Sequence, residues 1–218
     1  ENEVFLLPPD MPFRDAALIE PFAIGGHCTT RAQVTKEDLV LVLGSGTIGT
    51  VILQTCKQLG CKVICADIND SSLERAKRYG ADFVINTRKE DLLNRVQEIT
   101  ERAGVDVVFD SACYPGSLTA VLQQGIPANG ARIVPMGFCT EPEDITQAMI
   151  NVRELSIIGS RMSSGQFEPT IVKFEHKEFE LDGMVSHYIP FEHIDQVFEH
   201  MQHPVKDMKK MVILFGDQ

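Results

Sequence analysis

The chain has 218 residues, 44% of them hydrophobic, enough for one substantial soluble core and part of a second domain. Its 31 acidic against 20 basic residues give a formal charge of -11, which repels nucleic-acid phosphates and anionic lipids and argues against either partner. No apolar run approaches the roughly 20 residues that span a bilayer, and no signal-peptide pattern opens the chain, so a cytoplasmic location is expected.

The sequence starts without Met at ENEVFLLPPD, where strand-like VFLL is already under way, and reads as a piece of a longer chain. LVLVL at 39–43 is an apolar strand. The glycines of GSGTIG follow, and Ile48, Val51, Ile52, Thr55, Cys56 and Leu59 then recur at helical spacing over 47–59. KVICAD at 62–67 is a second strand ending on an acid; 71–79 reads as a helix closed by Gly80, and FVIN as a third strand. An amphipathic helix over 89–102 carries Leu92, Leu93, Val96 and Ile99 on one face, ahead of strand VDVVFD. Helix SLTAVLQQGI, strand ARIVPMG, short helix DITQAMIN and strand ELSIIGS complete the series. This alternation predicts an α/β fold: a Rossmann-type, doubly wound, six-stranded parallel sheet with helices on both faces. From about residue 161 the pattern changes to helix FEPTIVKFEH, extended VSHYIP, helix FEHIDQVFEHM and strand MVILF. With residues 1–20 these segments are expected to build part of a second lobe.

Cys28, Cys56, Cys61, Cys65, Cys113 and Cys139 are scattered through apolar segments, so free thiols are expected. The densest group, Cys56, Cys61 and Cys65, contains no CxxC and reads as small buried hydrophobes rather than a metal site.

GSGTIG sits between a strand and a helix, as a dinucleotide-binding fingerprint requires. Gly44 permits the tight turn, Gly46 lets backbone approach a pyrophosphate, and Gly49 allows close helix–strand packing. Ser45, Thr47 and Ile48 complete the loop, whose N–H groups face the phosphates. Asp67, closing the second strand with Ile68 beside it, is placed to accept from the ribose hydroxyls. It would repel a 2′-phosphate, so NAD is expected rather than NADP; Arg75 and Lys77 lie further along the following helix. The later strand ends at 110–113 and 135–138 fall where loops at the carboxyl edge of the sheet meet such a cofactor.

AALIEPFAIGGH at 16–27, GSGTIG, GADFVIN at 80–86 and ELSIIGSR at 154–161 occur in that order. In this combination the chain resembles the zinc-dependent medium-chain dehydrogenase/reductase family, in its alcohol, sorbitol and sugar-acid dehydrogenase branch. DSACYPGSL, ARIVPMGFCTEP and ELSIIGSRM look most like a subgroup of starvation-sensing dehydrogenases. The resemblance implies NAD as cofactor, zinc in the full-length protein, and a GroES-like catalytic domain that carries the main catalytic residues and is mostly absent from this sequence. It divides the chain into a residual catalytic-domain segment and leading helix (1–25), an NAD-binding Rossmann domain (26–160) and a segment returning to the catalytic domain (161–218).

By the same resemblance Glu20 lies at the catalytic zinc, and Ser111, Ala112, Met136, Gly137 and Phe138 border the nicotinamide. Ser160 and Arg161 approach cofactor and substrate. Arg161 is followed by Met162 where polyol dehydrogenases have Tyr, and an Arg there suits a substrate carboxylate. The implied activity is hydride transfer between a secondary alcohol of a polyol or sugar acid and NAD, with this chain alone inactive. The implied assembly is a homodimer or homotetramer through the Rossmann domain. Two alternatives share the cofactor loop: a dinucleotide-binding regulatory module and a zinc-free quinone or enone reductase. His27 reads as a packed or capping residue; His176, His193, His200 and His203 read as solvated, and His187 as a residue near the interdomain cleft.

Overall fold

A computed structural model describes residues 4–203 and 208–216. Six parallel strands form one sheet in the order β3-β2-β1-β4-β5-β6: β1 (Leu39–Leu43), β2 (Lys62–Asp67), β3 (Phe83–Asn86), β4 (Val105–Asp110), β5 (Pro127–Pro135) and β6 (Ser156–Ile157). This is the doubly wound sheet expected from the alternation of strands and helices. Successive side chains leave a strand on opposite faces, so each central strand feeds two cores. Val40, Val42, Val63, Cys65, Val107 and Phe109 enter one core, while Leu41, Leu43, Ile64, Ala66, Val108 and Ile133 enter the other.

The first core is covered by α2 (Ile19–Arg31) and α3 (Thr47–Gln58), and the second by α5 (Leu92–Ile99) and α6 (Ser117–Gln124). Helix α1 (Phe13–Ala16) is one turn, α4 (Asp70–Arg78) follows β2, and α7 (Gln147–Asn151) precedes β6. Helix α4 stops where expected: Gly80 has φ +96°, and Gly80 and Ala81 N–H donate to the carbonyls of Lys77 and Ala76.

Three expectations change. Residues 4–7 form no strand, and Val4 and Leu6 stay exposed, so VFLL lacks the paired neighbour that a strand needs. Helix α5 is shorter than the charge pattern implied. Asp91 caps it by accepting from Asn94 N–H at 2.8 Å, and it closes where Glu101 and Arg102 turn left-handed at φ 51° and 70°. Strand β6 contracts to two residues because it pairs only with β5. Helix α2 runs unbroken through residue 25.

The C-terminal segment packs onto α2 and α3 before it forms a sheet of its own. Helix α8 (Phe167–Glu175) lies against α2, and Phe22 meets the Phe174 and Phe179 rings at 5.3 and 4.0 Å. The Gln54 amide donates to Glu180 O and accepts from Glu180 N–H, both at 2.8 Å, fixing this segment on α3. Strands β7 (Val185–Pro190) and β8 (Lys210–Leu214) then form a two-stranded parallel sheet linked through a 3-10 turn, Phe191–His193, and α9 (Ile194–Gln202). No helix among the described residues is long and apolar enough to cross a membrane.

Candidate functional site

The carboxyl ends of β1, β2 and β4 meet at the glycine loop. Gly44 has φ +84°, and a Cβ there would lie 2.9 Å from Ala112 N, so the turn needs glycine twice over. A Cβ on Gly49 would lie 1.8 Å from Gly44 O, which fixes how closely α3 crosses the strand end. Gly46 differs: a Cβ there would meet nothing within 4 Å, so its missing side chain leaves open space above the start of α3. The first N–H groups of a helix have no intrahelical acceptor and carry partial positive charge, so this space suits an anion. Ser45 is buried, and its Oγ has no hydrogen-bond partner in the structure; its polar neighbour is the buried Cys65 thiol, pushed up to about 12 by burial.

Asp67 holds the loop in place. Its Oδ2 accepts from Ser45 N–H at 2.7 Å and its Oδ1 from Asn69 N–H at 2.8 Å. A carboxylate offers about four acceptor sites, so two bonds to the backbone leave capacity for ribose hydroxyls. Asp67 borders a cavity of about 640 Å³ shared with Gly44, Gly46, Ile68, Ser111 and Ala112. That volume falls in the range of roughly 300–1,000 Å³ typical of small-molecule and cofactor sites. Ser111 Oγ donates to Leu43 O and Gly44 O at 2.8 Å, tying the end of β4 to the loop. The open Gly46, the anion-seeking start of α3 and the half-buried carboxylate together fit a dinucleotide.

Other anticipated residues lie off the cavity. Ser45 and Thr47 line a small recess beside it with Gly46, Arg75 and Lys209. Ile48 and Gly49 continue into α3. Met136 is tied to β4 by its N–H to Asp110 O at 3.0 Å, Gly137 packs against the Cys113 side chain, and Phe138 is exposed. Ser160 Oγ is buried without a partner, and Arg161 is exposed after Gly159, whose carbonyl accepts twice from Arg31.

The cavity also contains Thr87, Leu92, Tyr114, Gln124, Ser72 and Lys209. Thr87 and Leu92 follow the end of β3, an edge that the fold rule points to; Lys209 had no local signal. Its Nζ donates to the buried Ser72 hydroxyl at 3.0 Å, and Arg75 Nη2 donates to the same oxygen at 3.2 Å. Arg75 thus reaches back toward the loop, and Lys209 brings a second cation from the start of β8.

All six cysteines are free, with Cys28, Cys56, Cys61 and Cys65 buried, Cys113 half-buried and Cys139 exposed. Among the described residues no three His, Cys, Asp or Glu side chains gather as metal ligands. Glu20 is an exposed residue in the first turn of α2, so the described residues do not make a zinc site. His27 is half-buried within α2, and His187 lies on β7 with its Nδ1 2.9 Å from Ser186 Oγ and its ring beside His200.

The family profile described as "Zinc-binding dehydrogenase" matches residues 47–176, from the start of α3 to the end of α8. The chain belongs to the zinc-binding dehydrogenase family. The chain is 33% identical over 215 residues to the starvation-sensing protein RspB of Escherichia coli K12, covering 97% of the chain and 62% of RspB. It is 30% identical to the sorbitol dehydrogenase of Bos taurus, over 91% of the chain and 56% of that enzyme. The crystal structure of the alcohol dehydrogenase rspB from E. coli CFT073, complexed with cofactor NADH, matches with a TM-score of 0.87 at 30% identity. That match covers 97% of this chain and 62% of the solved one, so the chain spans about three fifths of the length of these relatives.

Proposed function

We propose that this chain is the NAD-binding part of a dehydrogenase that moves a hydride between a secondary alcohol, in a polyol or sugar acid, and NAD. The observation that carries the proposal is Asp67, fastened at the end of β2 beside the open Gly46 and the start of α3. The structure of rspB with NADH and the likeness to a sorbitol dehydrogenase support it. NAD, when bound, supplies the hydride acceptor. The chain's own part is to hold it: the loop from Gly44 to Gly49 receives the pyrophosphate, and Asp67 accepts from the ribose with Ile68 alongside. Ser111, Ala112, Met136, Gly137, Phe138, Ser160 and Arg161 border the nicotinamide half, with Arg161 placed for a substrate carboxylate.

In this reading residues 26–160 form the cofactor domain, and 1–25 and 161–218 belong with the catalytic domain of the whole enzyme. Zinc and the main catalytic groups come from outside the described residues, with Glu20 as a carboxylate on the zinc side. We place the enzyme in the cytoplasm as a homodimer or homotetramer, supported by the open outer edge of β6 and the lack of a spanning helix in the described chain.

The test is calorimetric titration of the chain with NADH and NADPH. NADH is expected to bind and NADPH to bind at least tenfold more weakly, because Asp67 opposes a 2′-phosphate. Asp67→Ala should lose most NADH affinity. A chain that is folded by circular dichroism and binds neither nucleotide would sink the proposal.

A further inference from the structure

Helix α3 ends in a turn that brings two thiols together. Gly60 is left-handed at φ +89°, its N–H donates to Lys57 O at 3.0 Å, and Cys61 N–H donates back to Cys56 O at 3.1 Å. This is the Schellman pair of hydrogen bonds, in which the residue three from the helix end and the one just past the glycine pack side chain to side chain. Here both are cysteines, and both are fully buried. A disulfide needs Cα atoms roughly 4–7 Å apart, and the 3.1 Å bond from Cys61 N–H to Cys56 O draws the two backbones together on that scale. Cys28 donates to Gly25 O, and Cys65 sits beside Ser45 on the following strand.

We propose that Cys56 and Cys61 are a redox-modification site, a dithiol that hydrogen peroxide converts to an intramolecular disulfide clamping the last turn of α3. The inference goes beyond the cofactor reading and does not depend on it.

The two thiols differ in role. Cys61 Sγ donates to Thr35 O at 3.1 Å, and its neighbour Cys56 holds its pKa down against burial and the Asp38 carboxylate, whereas Cys56 is pushed well up by Cys61 and then by burial. Lys57 Nζ also donates to Cys61 O at 3.0 Å, which keeps a cation at this turn. Cys61, next to exposed Gly60 and with the Lys57 ammonium on its carbonyl, is the thiol that peroxide meets first as the turn opens, and Cys56, inside α3, resolves it.

The Cys61 thiolate attacks one peroxide oxygen; the O–O bond breaks, leaving a sulfenic acid on Cys61 and a hydroxide that is protonated to water. The Cys56 sulfur, giving its proton to solvent, attacks the Cys61 sulfur. The S–S bond forms, the S–O bond breaks, and a second hydroxide leaves and becomes water. Two thiols and one peroxide thus give one disulfide and two waters. Peroxide enters as the turn opens: Leu59 and Gly60 are exposed, and helix ends open locally at low cost.

Trypsin cuts after Lys57 and Lys62 and so places the two cysteines on separate peptides. After native treatment with hydrogen peroxide and alkylation of the remaining thiols, the expected result is peptide 37–57 joined to 58–62 as the main form of Cys61. The link should be lost on reduction with dithiothreitol. Cys56→Ala should leave a sulfenic acid on Cys61 that dimedone captures. The proposal is overturned if the peroxide-treated wild type keeps its circular dichroism while Cys56 and Cys61 are both alkylated, or if either is joined to a different cysteine. A folded Cys56→Ala chain without a dimedone adduct at Cys61 also overturns it. The wild-type arm needs no variant to fold.

Discussion

Gly46 and Gly49 are three residues apart and answer to different demands. A methyl group on Gly49 meets a backbone carbonyl that cannot move away, so Gly49→Ala should cost about 1–3 kcal/mol in overpacking and lower the melting temperature. A methyl group on Gly46 meets nothing in the protein. Gly46→Ala should therefore melt close to wild type and lose NADH affinity, because the methyl occupies the space proposed for the pyrophosphate. Thermal melts paired with NADH titration separate the two, and wild-type binding by Gly46→Ala would remove the loop from the site. Lys209 makes a third case. Its ammonium, shared with Ser72 at the cavity wall, would give a bound NAD a charge-assisted bond to a phosphate or ribose oxygen worth roughly 1.5–3 kcal/mol. Lys209→Ala should weaken NADH binding by about tenfold or more. An unchanged dissociation constant in the same titration would confine Lys209 to a structural role.

Between elements, Asp82 joins α3, β2 and the turn before β3. Its Oδ2 accepts from Lys57 Nζ and from Val63 N–H, both at 2.7 Å. Burial alone would raise its pKa; the Lys57 and Val63 bonds outweigh it and leave the carboxyl below its ordinary 3.8. A group whose folded pKa is depressed contributes stability above its unfolded pKa and loses it as pH falls through the folded value. Asp82→Asn should then be destabilised at neutral pH by no more than about 1 kcal/mol, since the pair is about one third exposed. Urea melts should show the gap from wild type closing below pH 3.8, and a gap that widens there would refute the assignment. The strands around Asp82 were legible because their centres are buried on both faces and leave the apolar runs LVLVL, VICA and VVF. Where burial is one-sided or absent the signal failed: VFLL is as apolar as a strand but has no partner, and β6 pairs along one edge only. The end of α5 was not legible either, because left-handed Glu101 and Arg102 carry no glycine to mark it.

Over the whole molecule, the glycine loop and Asp67 could be read locally, since strand, turn, helix and acid follow one another in sequence. The other wall of the cavity could not. Lys209 arrives from β8, and that strand's place depends on how residues 167–184 pack onto α2 and α3 through Phe174, Phe179 and the Gln54–Glu180 bonds. The same scale decides assembly. Strand β6 ends the six-stranded sheet and pairs only with β5, at Arg132↔Ser156 and Ile133↔Ile157. Its outer edge thus offers backbone donors and acceptors, with Ile157 and the strongly exposed Val152 as apolar neighbours. An open apolar edge is a template for pairing with another chain, and a second copy brings the same edge. Two residues supply few hydrogen bonds, so in the proposed assembly the apolar side chains would carry much of the contact. Ile157→Lys should then split the assembly by placing like charges at the two-fold contact while leaving circular dichroism unchanged. Light scattering should give wild type a mass of at least twice 24.2 kDa and the variant a mass near 24.2 kDa; wild type already at the lower mass would refute assembly through this edge.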